Sequence, residues 1–119
     1  MAFPNVVAIA DRAAFSAEKM QKNPVFDAAH FFLDAYCFEP GQEQKPHTHD
    51  GADKVYMVLE GEGEFIIGDE TMTVGPGHAI LAPSGVVHGV VNRSEQRLVT
   101  LAFMAPNPNR GDRVTGLTG

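Results

Sequence analysis

Three histidines give this chain its first chemical signal. His47 and His49 stand one residue apart in Pro46-His47-Thr48-His49, which reads as an extended strand, and His88 lies in the apolar run Val86-Val87-His88-Gly89-Val90-Val91. Side chains on a strand alternate between faces, so residues i and i+2 project from the same one. His47 and His49 therefore offer two imidazoles side by side, half of a metal site. A lone histidine in an apolar strand is usually a hydrogen-bonded core residue, but three converging nitrogens would make a metal centre open to a small ligand. Three imidazoles suit one divalent transition metal (Fe(II), Zn, Ni or Cu) better than Mg or Ca, which prefer oxygen. The other two histidines take structural readings: His30 follows Ala28-Ala29 at a strand start, and His78 adjoins the Gly75-Pro76-Gly77 turn.

The elements that must position these rings are short strands. Ala28 to Phe38, AAHFFLDAYCF, is dense in aromatic residues, and Glu39-Pro40-Gly41 stops it. Lys54 to Glu60 is a second strong strand; Gly61-Glu62-Gly63 turns it into Glu64 to Ile67, a hairpin. Gly68-Asp69-Glu70 leads into Thr71 to Val74, and Gly75-Pro76-Gly77 into strands at Ala79 to Leu81 and Val86 to Val91. Arg97 to Met104 closes the series. Short strands between glycine-rich turns, with almost no helical periodicity, predict an all-β sandwich or barrel.

Residues 1–27 form an N-terminal segment, short helix or edge strand. Asp11 is a candidate N-cap, and Asn23-Pro24 is expected to break whatever precedes it. Residues 28–105 hold the barrel. Residues 106–119, rich in Pro, Gly and Asn, read as a tail, disordered or laid over a neighbour.

With 119 residues the chain makes one domain with a real core, and its 44% hydrophobic and 20% charged residues are ordinary for a globular protein. A formal net charge of −6 and scattered basic residues argue against a nucleic-acid partner. No apolar run is long enough to span a bilayer, so no membrane partner is expected. Cys37 is the only cysteine and reads as a small buried hydrophobe. It allows no intrachain disulfide, and a cytoplasmic location is the expectation.

The two histidine stretches together resemble the motifs of the cupin superfamily. Gly41, His47, His49 and Gly61 sit at the spacings of its first motif; Gly77, Pro83, Gly85, His88 and Asn92 match its second completely. The resemblance covers 52 positions, Gly41 to Asn92. It implies a double-stranded β-helix, or jelly-roll barrel, with a metal held inside by His47, His49 and His88. It also implies a homodimer.

One position departs from the pattern: Lys54 stands where the family usually places a glutamate ligand. An ammonium facing a divalent cation at ~5 Å and an effective dielectric near 20 costs about 6–7 kcal/mol. Lys54 must then extend to the barrel mouth, pair with a carboxylate, lose its proton, or face a site without metal. Glu43 shares strand parity with His47 but lies ~13 Å away along an extended chain. Asp50 should point to the opposite face. Asp53 would turn inward only on a one-residue slip of register, and is the best substitute carboxylate. A three-histidine set is the preferred reading; it resembles that of thiol dioxygenase cupins and leaves more positive charge on the metal.

Two functions are compatible with this reading. One is a mononuclear metalloenzyme, dioxygenase-like, acting on a small anionic or thiolate molecule, or alternatively a metal-dependent isomerase, lyase or decarboxylase. In it Lys54 anchors a substrate carboxylate, while Tyr56, two residues on and on the same face, orients it or relays a proton. The other is a non-catalytic domain that binds a small molecule.

Overall fold

The computed structural model describes residues 5–108. Nine strands follow in chain order: β1 Gln21–Asp27, β2 Phe32–Phe38, β3 Glu43–His47, β4 Asp53–Glu60, β5 Gly63–Ile67, β6 Glu70–Val74, β7 Ala79–Ala82, β8 His88–Val91 and β9 Leu98–Ala105. They make two antiparallel sheets, one of five strands in the order β1-β2-β9-β4-β7 and one of four in the order β3-β8-β5-β6. This is the jelly-roll barrel expected from the motifs. A 3-10 turn at Ile9–Arg12 precedes the strands. Most of the predicted tail, from residue 109 on, lies outside the described residues.

Alternation decides which side chains enter the barrel. Along β2 the even positions Phe32, Asp34, Tyr36 and Phe38 face the interior; along β4 it is Lys54, Tyr56 and Val58, and along β9 Leu98, Ala102 and Met104. Tyr36, Phe38, Val58, Phe65, Val90 and Leu98 form the interior apolar core. The odd positions of β2 and β9 are apolar as well. Ala35, Cys37, Val99 and Leu101 pack outside the sheet beneath Val7, Ile9, Ala13 and Phe15. A sheet covered on both faces needs apolar residues at both parities, which is why β2 reads as an unbroken apolar run.

Several boundaries differ from expectation. β2 begins at Phe32, because Ala28 to Phe31 forms a turn closed by Ala28 N–H donating to Phe31 C=O. Asn23-Pro24 breaks nothing: β1 runs through it. Among the described residues β1 is an edge strand, paired only with β2, so the missing proline N–H costs no ladder bond, and the register shifts between Pro24 and Phe26. The series of strands thus begins ahead of residue 28. Asp11 is no cap; Ala8 holds that position, without a side-chain hydrogen bond. β8 starts two residues late, at His88, since Val86 and Val87 belong to the preceding turn.

Candidate metal centre

β3 and β8 bring the first two imidazoles together. They pair antiparallel with His47 opposite His88, and the register slips between Gln44 and His47. That slip is made possible at Gly89, where a Cβ would stand 2.9 Å from Gln44 O and 3.0 Å from Pro46 N. A bulge re-aims the residues beyond it. Gln44 and His47 therefore share the interior side although they are three positions apart, which simple alternation would put on opposite faces, while Glu43 is exposed. The parity expected to link Glu43 with His47 does not hold.

His49 lies past the end of β3, not within an extended strand as its spacing suggested. Its loop is stitched to the β7–β8 turn: Gly85 N–H donates to His49 O at 2.7 Å, and Gly51 N–H to Ser84 Oγ at 2.7 Å. Gly85 takes φ +79°, a conformation that disfavours any side chain. The ring ends up where alternation would have put it, for a different reason.

The three rings cluster at centroid distances of 4.4 Å (His47–His88), 4.7 Å (His47–His49) and 5.4 Å (His49–His88). Each offers a ligand nitrogen within 4.8 Å of the others. Backbone carbonyls set two tautomers. His47 Nδ1–H donates to Lys45 O at 2.8 Å and His88 Nδ1–H to Val86 O at 3.0 Å, because a carbonyl can only accept. The Nε2 lone pairs are left for a metal, an arrangement common among metal-bound histidines. His88 is 1% exposed, and its Nε2 is buried with no hydrogen-bond partner among the described residues. An orphaned buried acceptor costs about 1–3 kcal/mol, which a bound cation would recover. Burial lowers the pKa of all three rings, that of His88 to about 4, so they stand neutral and ready to ligate at pH 7. The donor set fits a divalent transition metal.

Lys54 does point inward, and is 1% exposed. Its Nζ sits 4.9 Å from the Tyr36 ring centroid and 5.1 Å from that of Tyr56. Burial and then the neighbouring Lys22 push its pKa down to about 7, with Asp34 pulling it back. Its conflict with a cation is relieved by easy loss of the proton and by a nearby carboxylate. Asp53 turns outward. It is exposed, and its Oδ1 accepts the Ser84 N–H at 2.9 Å, so it anchors the His49 loop to the opposite turn and is no ligand. Tyr56 is fully buried; its hydroxyl donates to Gln44 Oε1 at 2.8 Å, and its ring meets the His88 ring edge-on at 6.3 Å.

The site includes residues that spacing alone did not single out. A cavity of about 120 Å³ is lined by Asp34, Tyr36, His49, Lys54 and Lys22 among others. Burial, then Asp27, raises the Asp34 pKa, and Lys54 followed by Lys22 draws it down. A signal for Asp34 was present: it is the one charged residue in Phe32-Leu33-Asp34-Ala35-Tyr36-Cys37-Phe38, at the parity of Phe32 and Tyr36. Cys37, His30 and His78 take no part; Cys37 is buried on the outer face of its sheet, and the His78 ring bonds Gly75 O.

A jelly roll with three imidazoles at its open end defines a class. Residues 35–104 match the cupin domain family, and the chain belongs to it. Among curated proteins it is 30% identical over 93 residues to germin-like protein subfamily 1 member 4 of Arabidopsis thaliana, a match covering 68% of this chain and 42% of that protein. The chain thus spans less than half the length of that relative. Among solved structures, the protein TT1209 from Thermus thermophilus superposes with a TM-score of 0.84 at 42% identity, over 87% of this chain and 98% of the other. A protein with a double-stranded β-helix domain from Klebsiella pneumoniae gives a TM-score of 0.80 at 21% identity, over 86% and 90%, a likeness of fold. No helix among the described residues is long and apolar enough to cross a membrane.

Proposed function

We propose that the protein is a mononuclear metalloenzyme of dioxygenase type that acts on a small anionic molecule. The observation that carries this reading is the convergence of His47, His49 and His88, with the His88 Nε2 buried and unpartnered among the described residues. The three histidines would hold Fe(II), Zn, Ni or Cu. Such a metal supplies Lewis acidity to a bound substrate and, where it is redox-active, a place for dioxygen.

The chain's own residues supply the rest. Lys54 stands in the same small cavity as His49 and meets an incoming carboxylate, whose charge favours the ammonium form of a group otherwise poised near neutrality. Asp34 offsets that charge while no substrate is present. The Tyr56 hydroxyl, fixed by Gln44, orients the buried wall against the His88 ring. Phe32 and Met104 give the cavity its dry side. A homodimer in the cytoplasm completes the proposal.

A second reading, a metal-dependent isomerase or lyase, is favoured by one observation: Lys54 is buried in the same cavity as His49, where desolvation lowers its pKa to about 7 and lets it move a proton at working pH. Metal analysis of protein purified without added ions tests the common part. About one transition metal per chain is expected, lost in His47→Ala and His88→Ala. A metal-free barrel whose melting curve ignores added metal would leave only a binding domain. Dioxygen uptake by iron-loaded protein with small carboxylates or thiols then divides the two enzymes; proton exchange into substrate without uptake selects the second.

A further inference from the structure

Beyond the small cavity, a larger groove of about 490 Å³ opens between the edge strands β1 and β3. Lys19, Lys22 and Lys45 line it, with Glu43 the only carboxylate among the described lining residues. The whole chain has nine Lys and Arg against fifteen Asp and Glu, so three cations in one groove is a local reversal of charge. The ion pairs seen among the described residues use Arg93 and Arg97, and none of these lysines. Gln44 is 6% exposed, its side chain turned to the barrel interior between Tyr56 and Tyr36. The groove therefore gathers positive charge that no ion pair among the described residues neutralises.

Lys22 connects the groove to the metal end, because it lines the smaller cavity too. The Nζ atoms of Lys22 and Lys54 lie 5.6 and 4.9 Å from the centroid of the same Tyr36 ring. A cavity of about 120 Å³ has room for roughly four water-sized groups, at ~30 Å³ each. A ligand with one end at Lys54 and more than a few heavy atoms outgrows this cavity, and Lys22, shared by both linings, marks the groove as a direction in which it can extend.

From this shared lining and the clustered lysines we infer that the groove between β1 and β3 is a second anion-binding site and that the substrate is an elongated dianion. One carboxylate lies at Lys54 beside the histidines; a second anionic group, carboxylate or phosphate, lies among Lys19, Lys22 and Lys45. The inference rests on the metalloenzyme reading for its first end only. The second end is a property of the groove.

Cobalt(II)-loaded protein, followed by its visible spectrum, is titrated with linear dicarboxylates from succinate to pimelate and with monocarboxylates of matching length. Dicarboxylates long enough to pass Tyr36 bind about tenfold tighter than their monocarboxylate partners. That advantage disappears in Lys45→Glu and Lys19→Glu, while monocarboxylate affinity stays within twofold. A phosphonocarboxylate series of the same lengths tells which second group is preferred. Equal affinity of the two series at every length overturns the inference, as does an advantage that survives both substitutions. If cobalt does not bind, the metalloenzyme reading fails separately. The groove is then read from the Lys19 and Lys45 backbone amide resonances of metal-free protein, which shift with pimelate if the inference holds and stay put if it does not.

Discussion

The interior of this barrel has two ends built by the same strands. At one end stand Asp34 of β2, Lys54 of β4 and His88 of β8; at the other stand Phe38, Val58 and Val90 of those strands. Between them lie Tyr36 and Tyr56, rings 6.3 Å apart and near edge-on, each with a polar tip. The apolar end is satisfied by packing alone. The polar end is not: among the described residues the buried His88 Nε2 has no hydrogen-bond partner. A four-residue step along β2 thus passes from stored stability to unmet hydrogen-bonding capacity. The fold tolerates the second because the first supports it.

The sharpest way to separate the ends is to damage the apolar one. Phe38 is fully buried, and Phe38→Ala should cost about 3–5 kcal/mol through lost transfer energy and a residual cavity. Metal bound per folded chain should stay the same. Urea unfolding with metal analysis of the folded fraction checks both. A loss of metal equal to the loss of stability would show that the ends are one unit.

The next effect is smaller and runs the other way, since a buried lysine is a liability to the fold. The folded pKa of Lys54, about 7, lies below its ordinary 10.5. Between these values the unfolded chain binds the extra proton, so stability rises with pH across that window. Below about 7 both states are protonated and the penalty is full. Lys54→Met should therefore be more stable than the parent near neutral pH, by about 1–3 kcal/mol once Asp34 has lost its counter-charge. The gap should close as pH climbs towards 10. Denaturation curves of the two proteins from pH 6 to 10 give the test; parallel curves would mean that the amine is hydrated in the folded chain.

Much of the polar end was legible in the sequence, and its gaps have physical causes. The spacing of His47, His49 and His88 identified the cluster, and Lys54 stood out by occupying a carboxylate's place. Asp34 did not, because its meeting with Lys54 depends on β9 lying between β2 and β4, and strand order is non-local. Gln44 was hidden by the slip opposite Gly89, which undoes the two-residue rule on which facing was judged. The edge strand through Pro24 was masked for a similar reason: whether a proline breaks a strand depends on which neighbour is absent.

Asp53 provides the finest test of where the polar end stops. One residue from Lys54, it was the best substitute for the missing carboxylate, yet it faces solvent and accepts from Ser84 N–H. Its Oδ1, together with the Gly51–Ser84 and Gly85–His49 bonds, holds the loop that carries His49. Asp53→Asn keeps an acceptor oxygen and removes only the charge, so the bond should weaken by about 0.5 kcal/mol. Removal of a metal ligand would be felt far more strongly, because a neutral amide is a much poorer donor than a carboxylate to a divalent ion. Metal affinity of Asp53→Asn, measured by competition with a chromophoric chelator, should therefore change by less than threefold. A drop of a hundredfold would bring Asp53 into the coordination sphere and move the boundary between the two ends outward by one residue.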